Sequence, residues 1–317
     1  MKNSSIFAAC LAAMFALCVS CSEMIEVKTS KSGMVYLAVE AILTDMPDMY
    51  QVVTLSESVD YFSDGQVSAP MVTDAVVSVS DGTVSVPFVQ MEGGEPGKYY
   101  SPFGYRTEAG KIYTLSIDRK NAEGVNEHFS AQSTMIEPGL ELTRVDYKNT
   151  FKTADSTWTI GVWLTDKPQT SNFLLSSAIN GVFYPLDQSF SIDDKYFAGS
   201  TISGFPVNIL SQTQKNRESL GACAKVPETG DIITLAAYTL PNDFFEFFTA
   251  FYLNIMNVSI PLLTPQPANI PTNISGDGPA VGYFATCPVL TASCVVDDPD
   301  RTEFLETPLL IVPPIPE

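Results

Sequence analysis

Between residues 33 and 138 the apolar residues recur at every second position in short runs. These are Val35 to Leu43, Gln51 to Ser56, Ala75 to Val79, Val84 to Phe88, Lys98 to Ser101, Lys111 to Ile117 and His128 to Thr134. Period two with β-branched and aromatic residues marks strands with one buried face, and no helical spacing intervenes. Asp81-Gly82, between the third and fourth runs, suits the positive φ angles of a tight hairpin. Asn121-Ala-Glu-Gly124 joins the last two runs. Seven strands at this spacing predict a β-sandwich, immunoglobulin-like or carboxypeptidase-regulatory-like. Glu137-Pro138-Gly139 then breaks the pattern and marks a domain boundary.

Residues 139 to 317 read as a second, β-rich domain. Glu141 to Tyr147, Thr157 to Leu164, Asn172 to Ile179, Ile232 to Tyr238 and Val281 to Phe284 are its predicted strands. Helical spacing appears once, in Phe244, Phe247, Phe248, Phe251, Tyr252 and Ile255, and predicts an aromatic helix near 243–256. Asp243 is the expected cap, with Glu246 completing a capping box. Burying such a stripe contributes about 1.5–3 kcal/mol per large side chain. The charges and amides at 243, 246, 254 and 257, with Pro261, argue against a membrane-spanning helix here. The fold class is therefore mainly β, with two β-sandwich-like domains and one aromatic helix in the second.

The beginning of the chain breaks the strand pattern. Lys2 precedes an uncharged run from Ile6 to Val19, too short to span the roughly 30 Å of bilayer hydrocarbon. It ends at Leu17-Cys18-Val19-Ser20-Cys21. Small Ser20 before Cys21 gives a lipoprotein cleavage site, so residues 1–20 are read as a signal peptide and Cys21 as the lipidated residue. Leu17 lies one place earlier than lipoprotein signals usually have it. Residues 21–32 form a polar tether.

Net charge is −19, with 36 acidic against 17 basic residues. Nucleic acid is thus a poor partner, since phosphate binding needs clustered Lys and Arg. After the leader and Cys21, three cysteines remain, at 223, 287 and 294, which allows at most one internal disulfide. Cys287 with Cys294 is the first choice, with Cys223 as an alternative partner. Metal ligation is disfavoured: there is no C-x-x-C, and the one histidine, His128, lies on a strand of the other domain. It reads as a surface or edge residue. Asp297, Asp298 and Asp300 form an acidic loop that lacks the glycine and distal glutamate of an EF-hand.

Trp158 and Trp163 are five residues apart on one predicted strand, hence on opposite faces. Burial is the favoured role for such large apolar rings, and a ligand-stacking platform is the alternative. G-x-S-x-G, S-x-x-K, P-loop and H-E-x-x-H motifs are absent from the sequence, and no cofactor is expected. A glycan hydrolase built on paired carboxylates stays open as an alternative.

The order of several short motifs resembles the Bacteroidota lipoproteins of the domain-of-unknown-function 4249 family. They are Gly97-Lys98-Tyr99-Tyr100, Gly110 to Leu115 and Ser130 to Thr134, followed by Asp193 to Gly199, Gly230-Asp231, Phe244 to Phe247, Thr272-Asn273-Ile274 and Gly282-Tyr283-Phe284. The resemblance implies an outer-membrane lipoprotein, often encoded beside a TonB-dependent transporter, and it carries over no catalytic residue. Ser22, Glu23 and Glu26 look like a partial acidic signal for display on the cell surface. The expectation is a lipid-anchored accessory that binds or docks. An adhesin or fimbria-associated subunit, with the Pro308–Pro316 tail as a donated strand, is the alternative.

Overall fold

The computed structural model describes residues 34–59, 68–151, 157–169, 171–183, 189–195, 198–211, 226–256 and 270–306. The leader, Cys21, Cys223 and the Pro308–Pro316 tail lie outside them. The first seven strands are β1 (Leu37–Thr44), β2 (Val52–Glu57), β3 (Val76–Ser80), β4 (Ser85–Phe88), β5 (Lys98–Tyr100), β6 (Ile112–Lys120) and β7 (Asn126–Thr134). They follow the sequence pattern closely, because each alternates buried and solvent-facing positions. In β6 the inward residues Tyr113, Leu115 and Ile117 are at most 2% exposed while Ile112 is 55% exposed. The Asp81-Gly82 hairpin forms as expected: Gly82 has φ 87°, and the Asp81 carboxylate accepts the Thr83 and Val84 amides at 3.0 and 2.9 Å.

These strands divide between two facing sheets, and each is completed from far along the chain. β15 (Ser275–Gly276) and β16 (Ala280–Cys287) give the orders β16-β1-β2-β5 and β15-β7-β6-β3-β4. Leu37, Leu55, Leu115, Ile117, Phe129 and Phe284 meet in the first core. β16 runs parallel to β1, and Gly282 makes the close approach feasible. It has φ 93°, and a Cβ there would lie 1.9 Å from the Val39 carbonyl oxygen. Asn273 fixes the incoming strand by exchanging hydrogen bonds with the Phe284 backbone at 2.7 and 3.0 Å.

The second core lies between two further sheets. One has the order β13 (Thr201–Ser211), β9 (Thr157–Asp166), β8 (Leu140–Phe151). The other has β11 (Val182–Phe183), β10 (Asn172–Ile179), β14 (Ile232–Leu240) and β17 (Val289–Val295), with β12 (Phe190–Asp193) also on β10. Every residue of β10 is buried. Phe173, Leu175 and Ile179 enter the second core, and Leu174 enters a third, smaller cluster between the two sandwiches. From Val35 onward the chain clusters as one compact unit. Residues 280–295 belong to both halves, since β16 completes the first sandwich and β17 the second, with only Pro288 between them.

α1 (Asn242–Met256) is the one helix among the described residues, and none of these is long and apolar enough to cross a membrane. Its inner face places Phe244 and Phe248 against Tyr283 and Leu240 in the third cluster. The start differs from the expected capping box. Helical hydrogen bonding begins at the Pro241 carbonyl, which accepts Phe245 N–H at 2.9 Å. Asp243 therefore lies inside the first turn, where its carboxylate accepts the adjacent Phe244 amide at 3.0 Å.

Candidate functional site

The junction between the two sandwiches holds the site with the clearest chemical character. Ile42 and Thr44 of β1, the 46–52 segment, Leu174 of β10, Tyr238 and Leu240 of β14 and Phe244 of α1 enclose a cavity of about 230 Å³. Among the described residues its walls are apolar except for Thr44, Tyr50, Gln51 and Tyr238. The loop before β2 is held from both sides. Asp45 accepts the Val289 amide at 2.8 Å, Met49 O accepts the Gly104 amide at 3.2 Å, and Asp48 takes a left-handed φ of 57°. At the rim the exposed Tyr50 and Phe103 meet edge to face, with ring centroids 5.2 Å apart.

Gln51 is 2% exposed. Its Oε1 accepts Thr44 N–H at 2.8 Å, which fixes the amide orientation, and its Nε2 donor has no partner among the described residues. Its backbone is tied down as well: Gln51 N–H donates to Ser101 Oγ at 3.0 Å, and its carbonyl accepts Ser101 N–H at 2.9 Å. A buried donor left unpaired costs about 1–3 kcal/mol. The Tyr238 hydroxyl also has no hydrogen bond among the described residues, and burial pushes it up to about 12, so it is a neutral donor.

Two other recesses differ from this one. A cavity of about 180 Å³ inside the second core is lined, among the described residues, by Leu140, Leu164, Phe173 and other apolar side chains only. An open groove of about 540 Å³ over β6 and β7 is polar. There His128 Nδ1 lies 2.8 Å from Asp118 Oδ1, both are exposed, and His128 N–H donates to Asp277. Among the described residues no Ser, Thr or Cys lines this groove.

The residues expected from sequence to bind or cross-link have structural surroundings. Trp158 is 5% exposed in the second core, and its indole N–H donates to Pro299 O at 2.7 Å. Trp163 points to the opposite face, as the odd spacing requires. Its ring carries the Arg144 guanidinium at 3.9 Å and meets Phe304 edge to face at 5.1 Å. The stacking platform is thus taken by the protein's own side chains. Cys287 and Cys294 do not form the expected disulfide, and both are free, buried thiols. Cys287 ends β16 in the junction cluster, while Cys294 pairs with Ile233 in the second core. Along β17, Cys294 lies roughly 16 Å from Val289, too far for the two-residue step back to Cys287 to restore the 4.4–6.8 Å between Cα atoms that a disulfide allows. Burial pushes the Cys294 thiol up to about 12 and that of Cys287 higher still.

Two buried polar clusters brace the second half. Asp146 is 1% exposed and binds Arg144 at 2.8 Å, Arg301 at 2.5 Å and the Leu305 amide at 2.8 Å. The cluster holds residues 297–306 over the outer face of β8 and β9, where Phe304 covers Gly161. Asp297 accepts the Tyr147 hydroxyl at 2.6 Å and so serves this clamp. Asp166 and Asp194, 3% and 0% exposed, form the other. Burial pushes both carboxyls above the usual range. Among the described residues no three His, Cys, Asp or Glu side chains converge to hold a metal ion.

Gln51, Tyr238 and the methionines of the 46–49 loop were not evident as site residues. One signal was present. Gln51 occupies an inward position in the Gln51-Val53-Leu55 alternation, where a polar residue needs a buried partner.

Together these features define a mainly β protein of two sandwich-like cores, joined by shared C-terminal strands and a junction helix. The family described as Domain of unknown function (DUF4249) matches residues 22–293, and the chain belongs to it. No curated protein matches the chain.

Proposed function

We propose that the protein is a Bacteroidota outer-membrane lipoprotein, anchored through the lipid on Cys21 and acting as a binding or docking accessory to a TonB-dependent transporter. The observation that carries the binding reading is the junction: a largely apolar cavity opens beside exposed aromatic residues on well-anchored loops. Loops positioned by a rigid sandwich make binding sites without demanding chemistry. The leader ending at Ser20-Cys21 supports the anchor, and Glu23 and Glu26 in the tether support display at the cell surface.

Native purification from solubilised outer membranes tests the partner. A TonB-dependent transporter should be recovered with the protein, and recovery without one would sink the accessory role. Cys21→Ser should release the mature chain from the membrane fraction; retention there would refute the anchor.

A further inference from the structure

The cavity of about 180 Å³ in the second core sits where that sandwich is open. β12 is an edge of one sheet and pairs with β10, while β13 is an edge of the other and pairs with β9. Among the described residues these two edges do not pair with each other. Ile192 of β12 and Ile202 and Phe205 of β13 line the cavity and are only partly buried. Beneath them Leu164, Phe173 and Leu175 are 3%, 1% and 2% exposed. A partly exposed rim over a buried floor makes a pocket with a mouth between the two edges.

A local irregularity builds that rim. Ile202 and Phe205 are three residues apart, a spacing that a regular strand would send to opposite faces. A register shift between them, with Gly204 at φ 67°, pairs them instead with Leu164 and Val162, two inward residues of β9. Both side chains therefore face the cavity. The next inward positions, Asp166 on β9 and Asp194 just past β12, are nearly inaccessible and do not line it. An apolar cavity of about 150 Å³ stays dry and holds benzene, so this one takes roughly six or seven carbon atoms. A hydroxyl or charge inside it would lose its hydration with nothing in return, whereas at the mouth it keeps its water.

We propose that this pocket binds the alkyl end of a small amphiphile, whose polar head stays in water between β12 and β13. The site is separate from the junction and does not depend on the reading given for it.

The test uses the mature chain carrying Cys21→Ser in a detergent-free preparation, since detergent tails would compete. Straight 1-alkanols from butanol to nonanol are titrated by NMR on methyl signals. Those of Leu164, Ile192 and Ile202 should shift and saturate. Affinity should rise about fourfold with each added methylene, as expected for burying one CH₂. It should level off at roughly six or seven carbons, the capacity of the cavity. Ile202→Trp places a larger ring across the mouth and should weaken hexanol binding at least about tenfold. Leu164→Ala deepens the pocket and should move the levelling point out by about two carbons, a change that a damaged fold does not mimic.

Affinity that climbs unbroken to nonanol would overturn the assignment, because it would mark unspecific partitioning. So would shifts confined to Ile42 and Leu174 at the junction, or no shift at any chain length. A folded Leu164→Ala whose levelling point stays in place would do the same.

Discussion

The two cores exclude water by different means. In the first, the facing sheets meet through apolar side chains, and its buried charge sits at the rim. Arg119 is 6% exposed and reaches Glu57 and Glu127 at 2.8 and 2.9 Å, two carboxylates that keep some contact with solvent. In the second, charge is buried on a sheet face. Asp146 lies under residues 297–306 between two arginines, and Asp166 and Asp194 face each other nearly without exposure. Apolar alternation makes the first half tolerant of single polar losses, whereas the second depends on a few buried charge sets, since removing one partner leaves a buried charge uncompensated.

The largest test of that contrast is Asp146→Ala. It strands Arg144 and Arg301 under the covering segment, and a loss of about 3–5 kcal/mol is expected, as for other buried pairs broken on one side. Urea unfolding measures it, and a loss within error would erase the distinction between the halves.

Gly282→Ala probes the first half at the one point where backbones crowd. A side chain at positive φ against Val39 O should cost about 2–3 kcal/mol by strain alone. Hydrogen exchange should report the damage in β1 before β9.

Trp163→Ala removes the ring that Arg144 and Phe304 embrace. The expected loss is about 1–2 kcal/mol, from a partly desolvated cation–π contact together with an aromatic pair. Faster proteolysis near residue 304 should accompany it.

The smallest effect sharpens the comparison through pH. A carboxyl whose folded pKa is raised above the ordinary 3.8 binds its proton more tightly folded than unfolded. Its contribution is therefore favourable below 3.8 and is lost as pH rises through the raised value, the reverse of an ion-paired carboxylate. Asp194→Asn removes one of the two raised carboxyls. Melting temperatures of this variant should fall less than wild type between mildly acidic and neutral pH. An unchanged pH profile would argue against a raised carboxyl at Asp194.

Much of the fold was legible because the first half obeys period two almost without exception. Val53, Leu55, Val77, Val79, Leu115 and Ile117 face the core where alternation places them. The second half was less legible for a physical reason. β10 is buried on both faces, and β12 and β13 lie in segments where polar Ser, Asp and Gly dilute the pattern. The helix was legible from its aromatic spacing, but its start moved because Pro241 supplies the first carbonyl. The site was legible only as an anomaly, polar Gln51 in an inward position. Its cavity depends on Leu174, Tyr238 and Phe244, and local spacing carries no record of such distant partners. The disulfide expectation failed because closeness in sequence is not closeness in space when the intervening chain is extended.

The pairing of Leu37 with Ala280 also dictates an order of events. As the chain emerges from a ribosome or a translocation pore, the first seven strands arrive with the outer edge of β1 unpaired, and the seat for β16 stays empty until nearly the whole protein has appeared. Throughout that interval the open edge is a template for any passing strand. A fragment ending near residue 138 would keep it open permanently and should self-associate, however complete its own hydrophobic pattern.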